Sequence, residues 1–292
     1  MFGIVGNGQV GQHLAEAFDA MGYENHLIGR NTDEKIQKYR KTDVEFDVST
    51  AKPEDLYQLS DKYSMLIYTS AYRDVNQCEK DPAMADRLNF LVPTVLANNR
   101  PLMYISTDYV FGKLNTDVPR PIVGKIGEGE NPDSEFFSGG ASSVYGKSKR
   151  RGELGVLNRD GFVVRIASPF GKWKSPLRQS FIDMVASSFD ELTLPRDQII
   201  SPTYLPEAAR TIAGLALSPK TGMYHAVCEG SCSYQDFAMW ARKVIKSTAQ
   251  VRGKFSDPEL DKLRPNYSAL QNNKLPKLSH WAEAVEHYLG RR

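Results

Sequence analysis

The feature that most constrains this chain is a glycine run placed within its first dozen residues. Phe2-Gly3-Ile4-Val5 reads as a short buried strand. Gly6-Asn7-Gly8-Gln9-Val10-Gly11 follows it at once and matches G-x-G-x-x-G. A helix pattern then runs from Gln9 to Met21, with Val10, Leu14, Ala17, Phe18 and Met21 on one face. A strand feeding three spaced glycines into a helix is the setting in which this motif binds a dinucleotide. Gly6 permits the tight turn, Gly8 lets a pyrophosphate approach the backbone, and Gly11 lets helix and strand pack closely. The helix N-terminus, with Gln9 and Val10, presents unpaired N–H groups and the positive end of its dipole.

The rest of the first half alternates in the same way. Strands are expected at His26–Ile28, Val44–Phe46, Met65–Tyr68, Leu102–Ser106 and Phe162–Ile166. Helices are expected from Pro53, over Pro82–Asn98 and over Tyr145–Leu157. Such alternation builds an α/β fold of Rossmann type: a doubly wound parallel sheet with helices on both faces. After about residue 168 the pattern loosens. Pro176–Phe189, Pro206–Leu217, Tyr234–Ile245 and His280–Leu289 read as helices, and Met223–Val227 as one more strand. The expected organisation is a dinucleotide-binding domain over 1–168, rejoined by about 204–228, and a smaller substrate-binding domain over 169–292. Lys113–Ser143 lacks periodicity and reads either as a lid over a site or as a loose surface insertion.

The residue about 20 positions beyond the glycines reports on the cofactor. Here it is Arg30, and the next carboxylates are Asp33 and Glu34. A guanidinium suits a 2′-phosphate, so NADPH is favoured, with NADH the alternative. Asp47 and Val48 follow the third strand, where they either face the adenine or cap the next segment.

A second motif supplies acid–base chemistry. Tyr145 and Lys149 stand at i and i+4, on one helix face. A ketone that accepts hydride becomes an alkoxide and needs a proton. A free tyrosine has a pKa of about 10, and a neighbouring ammonium group lowers it toward neutral-pH transfer. Ser106-Thr107 closes the fifth strand, at the end of the sheet where ligands bind. A hydroxyl there suits a substrate carbonyl.

These residues resemble the extended short-chain dehydrogenase/reductases, and among them the dTDP-4-dehydrorhamnose reductase family. Ser106-Thr107-Asp108-Tyr109-Val110-Phe111 is similar to that family's strand-end signature. Ser143-Val144-Tyr145-Gly146-Lys147-Ser148-Lys149, followed by Gly152-Glu153, is similar to its Tyr/Lys helix. Ala71-Tyr72 with Glu79 and Pro82, Asp197-Gln198 with Ser201-Pro202-Thr203, Gly222-Met223-Tyr224-His225 and Arg264-Pro265-Asn266-Tyr267-Ser268 fall in the matching order. The resemblance implies Thr107, Tyr145 and Lys149 as catalytic residues. Gly6, Gly8, Gln9, Val10, Gly11, Arg30, Asp47, Val48, Ala71, Tyr72, Tyr145 and Lys149 would hold the cofactor. Asp108, Tyr109, Val110, Ser168 and Arg264 would meet the substrate. The reaction implied is NADPH-dependent reduction of the C4 ketone of a nucleotide-linked 4-keto-6-deoxyhexose.

Three departures stand out. Val5 occupies the place of the family's usual first glycine. The interval from Thr107 to Tyr145 is longer than usual. Ser168 stands where many members carry tryptophan, which bears on the base or sugar and not on the redox step. Among relatives, 4,6-dehydratases place glutamate where this chain has Tyr109, and epimerase-reductases place a cysteine near this point. A non-catalytic NADP-binding regulatory subunit is the alternative outside enzymology, since fold alone does not decide function.

Composition excludes other classes. Lys+Arg 37 against Asp+Glu 35 is too balanced for a dedicated nucleic-acid binder. Cys78, Cys228 and Cys232 form neither a disulfide framework nor a zinc pattern, and no metal site is expected. With no long apolar run and no signal-peptide pattern, the expectation is a cytoplasmic protein that avoids membranes, as monomer or homodimer.

Overall fold

The computed structural model describes residues 1–30, 41–115, 125–172, 180–188, 190–257, 259 and 261–290. Asp33, Glu34, Pro119, Pro121, Gly124, and the expected helical positions 176–179 and 189 lie outside the described residues.

The centre is a seven-stranded sheet. Its strands are β1 (Phe2–Val5), β2 (Asn25–Gly29), β3 (Val44–Glu45), β4 (Met65–Tyr68), β5 (Leu102–Thr107), β6 (Phe162–Ile166) and a last strand at Gly222–His225. Across the sheet the order is Gly222–His225, β6, β5, β4, β1, β2, β3. The pairs β1–β2, β1–β4, β2–β3 and β4–β5 are parallel. β4, β5 and β6 are buried along their whole length, as parallel strands covered on both faces must be. That burial is why β4 reads as an unbroken apolar run, β5 as one up to its Ser106-Thr107 end, and β6 as one interrupted by Arg165 alone. The order turns back between β1 and β4, the kind of crevice where open α/β sheets bind ligands.

The chain divides into two compact units. The first comprises Met1–Thr107, Ser143–Arg165 and Ala209–Tyr224; the second comprises Asp108–Ser142, Ile166–Ala208 and His225–Arg292. This differs from a main cut near residue 168. Asp108–Ser142 clusters with the second unit, because its side chains bury there. Val110, Phe111, Ile126 and Phe137 share a core with Ala167, Val227 and Leu270. Ile126 also donates its N–H to Ala269 at 2.7 Å. The described part of the aperiodic segment is thus packed structure and not a loose insertion. The second unit's other core gathers Phe170, Ile182, Tyr204, Phe237 and Tyr288.

One expected helix proves discontinuous. Pro82–Asn98 resolves into helix at Pro82–Asp86, a wide π-type turn at Arg87–Leu91, and helix again at Val92–Leu96. Pro93 explains the break. It has no N–H to give the Asn89 carbonyl, four residues back. The Tyr104 hydroxyl of β5 fills that vacancy, donating to the Asn89 oxygen at 2.6 Å. Such wide turns often mark functional positions.

Among the described residues, no helix is long and apolar enough to cross a membrane, and no group of His, Cys, Asp or Glu gathers as metal ligands.

Candidate active site

The glycine loop leaves β1 beside the crevice. Gly6 has φ +120°, a left-handed value that favours glycine, and donates its N–H to Ile28 at 2.8 Å. Thr69, just past β4, donates its hydroxyl to the Gly6 carbonyl at 3.0 Å and to Val5 at 3.1 Å. A Cβ on Gly11 would lie 1.9 Å from the Gly6 oxygen, so α1 (Gln9–Ala20) reaches its position only with glycine there. Gly8 is different: no atom lies within 4 Å of where its Cβ would sit. It begins α1 with no side-chain cap and no acidic residue in the first turn. An open space in front of uncapped helical N–H groups fits a phosphate. Gln9 and Val10 are half-buried in that first turn.

The end of β2 is tied to this loop. Asn7 donates to the Arg30 carbonyl at 2.8 Å and to the Thr42 hydroxyl at 3.1 Å. The Arg30 side chain is exposed. The Asp47 carboxylate accepts from the Ser49 N–H at 2.9 Å and the Ser49 hydroxyl at 2.6 Å. Burial pushes its acidity down, but the Ser49 bonds and the Arg30 charge prevail and hold it below the usual carboxylate range. Asp47 thus caps the following segment. Val48 packs its side chain into the core beside Leu56 and Tyr68. As a cofactor contact it is corrected to a core residue with only its backbone to offer.

The Tyr145 helix, Val144–Leu157, has a fixed start. The Ser143 hydroxyl accepts from the Gly146 N–H at 3.1 Å, and Glu79 accepts from the Val144 N–H at 2.7 Å. Tyr145 is half-buried. Lys149, 1% exposed, donates to the Ile105 carbonyl at 2.6 Å, and its ammonium sits 3.9 Å from the centre of the Tyr104 ring. Burial pulls the Lys149 amine down to about 7. An ammonium has three donors, so the Ile105 bond leaves capacity for a ligand hydroxyl. Thr107, the last residue of β5, is buried. Gly-loop, Thr107, Tyr145 and Lys149 all belong to the first unit.

Sequence reasoning missed Asn89. It is fully buried; its side-chain oxygen accepts from the Tyr72 N–H at 2.9 Å. Its amide donates to the Tyr72 carbonyl and to the Ser148 hydroxyl, each at 3.0 Å. Ser148 in turn donates to the Tyr145 carbonyl at 2.9 Å. One side chain thus joins the Ala71-Tyr72 loop to the Tyr/Lys helix. The only hint in sequence is a poor helix former inside a helical stretch. Asn89→Ala should cost about 1–3 kcal/mol, since it leaves buried polar groups unpaired; urea unfolding measures it, and an unchanged midpoint would refute this clamp.

The substrate set falls in the second unit. Arg264, exposed, donates to the Tyr109 hydroxyl at 3.1 Å. Ser168 holds a left-handed φ of +39°, a strained value for a side chain that is not glycine. Its hydroxyl pairs with that of Tyr234 at 3.2 Å, and the Phe181 ring meets Tyr234 edge-on. Two expectations are corrected. Val110 is fully buried in the core of this unit, so a ligand has no face of it to touch. Asp108 is 3% exposed, and its carboxylate accepts from the Ser268 hydroxyl at 2.6 Å; it braces the strand end.

The family model for the RmlD substrate binding domain matches residues 2–292. The spore coat polysaccharide biosynthesis protein SpsK of Bacillus subtilis is 28% identical over 240 residues, spanning 78% of this chain and 79% of that protein. A dTDP-4-dehydrorhamnose reductase of Aggregatibacter actinomycetemcomitans is 27% identical over 257 residues, 77% of this chain and 80% of the relative. Among solved structures, dTDP-4-dehydrorhamnose reductase from Bacillus anthracis in complex with NADP aligns with a TM-score of 0.79 at 25% identity, covering 99% of this chain and 98% of that one.

Proposed function

The chain belongs to the family of the RmlD substrate binding domain, and from that membership and the Tyr145–Lys149 site we propose that it is an NADPH-dependent reductase of nucleotide-linked 4-keto-6-deoxyhexoses, with dTDP-4-dehydrorhamnose its substrate. The observation that carries the reading is the buried Lys149 amine one helical turn from Tyr145, in a unit whose glycine loop leaves the place of a Gly8 Cβ clear of any atom within 4 Å.

Reducing a ketone to an alcohol takes one hydride and one proton. Bound NADPH supplies the hydride. Gly6, Gly8 and Gly11 with the first turn of α1 hold its pyrophosphate, and Arg30 its 2′-phosphate. Lys149 keeps donors for the ribose. The proton comes from the Tyr145 hydroxyl, whose conjugate phenolate a nearby ammonium stabilises. Thr107 donates a hydrogen bond to the carbonyl oxygen and holds it toward Tyr145. Arg264 meets the diphosphate, since a guanidinium fork matches phosphate oxygens. Tyr109 places a phenol where dehydratases need a carboxylate base, which supports simple reduction.

The test is NADPH oxidation, followed by absorbance, with dTDP-4-dehydrorhamnose and with its UDP-linked counterpart. Turnover with the dTDP sugar is expected. Tight NADPH binding with no turnover on either sugar would instead favour a non-catalytic binding protein. For the cofactor, Arg30→Ala should weaken NADPH about tenfold more than NADH, the loss of one charge-assisted bond. Equal weakening of both, read by fluorescence titration, would remove Arg30 from the 2′-phosphate.

A further inference from the structure

A carboxylate survives as a charge inside a protein only when other groups pair with it. Glu153 is fully buried, and Arg165, at 1% exposure, grips it with two parallel bonds. Arg165 Nε donates to Oε1 at 2.7 Å and a terminal nitrogen donates to Oε2 at 2.8 Å. Arg150 adds a third contact at 3.2 Å. Burial alone would raise the Glu153 carboxyl, but the Arg165 charge and its hydrogen bonds, with help from the Arg150 charge, hold it below the ordinary range. The proposed chemistry gives this carboxylate no task. Yet it lies four residues after Lys149 on the same helix, and both side chains are buried. Residues so spaced are neighbours on one face.

We propose that Glu153, clamped by Arg165, is a positioning residue that favours the protonated form of the buried Lys149 amine against its burial. Its consequence for the reaction rests on the role proposed for Tyr145 and Lys149; the charge relation itself does not. Burial works against the ammonium, and Glu153 opposes that fall. The other groups set around this helix do not substitute for it. On the helix itself stand Tyr145 and Arg150. β5 contributes Tyr104, with Tyr68 of β4 stacked behind it, and β6 contributes Arg165. From the kinked helix come Asp86, engaged with Arg151, and Arg87. From Val75–Lys80 comes Glu79, engaged with the Val144 N–H. Losing Glu153 removes the attraction and also leaves Arg165 and Arg150 as uncompensated cations near a third.

The experiment labels the full chain with 13C-lysine and follows the Lys149 ε-methylene resonance with pH, without cofactor or substrate. Lys149→Met assigns the signal. In Glu153→Gln the titration midpoint should fall by about one to three units, the size of effect an adjacent opposite charge exerts. Should that variant fail to fold, Glu153→Gln with Arg165→Met removes both members of the pair, a change buried ion pairs tolerate better than losing one; the midpoint should fall there too, by less. A native circular dichroism spectrum with an unchanged Lys149 midpoint overturns the proposal. In turnover, the basic limb of kcat/KM for reduction should move to lower pH in the variant, whereas a loss uniform across pH would mark a merely structural pair and also overturn it. If the wild type reduces no keto sugar, the functional reading falls while the resonance still decides the role of Glu153.

Discussion

Replacing Tyr145 by phenylalanine should cut turnover by roughly 10²–10⁴-fold, the usual worth of a positioned general acid. The substitution removes one oxygen and keeps the ring. It leaves the backbone arrangement alone, because Ser148 holds the Tyr145 carbonyl and not its hydroxyl. Lys149 keeps its bond to Ile105. NADPH affinity should therefore stay near the wild-type value, and the loss should appear in kcat. Steady-state NADPH oxidation with the dTDP-linked ketone, paired with cofactor titration, measures both. Turnover within tenfold of wild type would show that the proton comes from another group.

The glycine loop yields the second large effect, and it separates two glycines that look alike in sequence. Gly11→Ala places a methyl group 1.9 Å from the Gly6 carbonyl oxygen, closer than any Cβ tolerates. Backbone atoms stand in the way, so α1 or the Gly6 turn must shift, at a cost of about 1–3 kcal/mol or more. Thermal stability and NADPH binding should fall together. Gly8→Ala meets nothing within 4 Å, so the fold should melt at nearly the wild-type temperature. The proposed pyrophosphate site needs a close backbone approach at Gly8, which a methyl group would hinder. NADPH affinity should drop at least about tenfold, equal to 1.4 kcal/mol. Calorimetry of both variants with and without NADPH separates these outcomes. Undiminished NADPH binding by Gly8→Ala would place the pyrophosphate elsewhere.

Much of the first unit was legible because local rules and tertiary structure agree there. Apolar runs at β1 and β4, and one at β6 interrupted by Arg165, are what a sheet covered on both faces requires, and their observed bounds match those read from the residues. Gly6 and Gly11 announced a turn and a close approach that the φ value and the short Cβ distance then explain. Val48, Asp108 and Val110 were misread for one reason. Adjacency to a functional residue in sequence says nothing about which way a neighbouring side chain points, and each of these points into protein. The second unit was less legible. Leu192–Pro195 pairs in parallel with Val251–Lys254, a contact no local pattern announces.

The sequence by itself determined the alternation of strands and helices, the glycine turn that opens the crevice, and the spacing of Tyr145 and Lys149, since each depends on contacts within a few residues. Only the tertiary structure decided that the chain passes between units at Thr107–Asp108, that Asn89 joins Tyr72 to Ser148, and that Arg165 holds Glu153 as a carboxylate inside the protein, one helical turn from a buried lysine. Those depend on groups distant along the chain sharing a space without water, where an unpaired polar atom costs far more than it does on a surface.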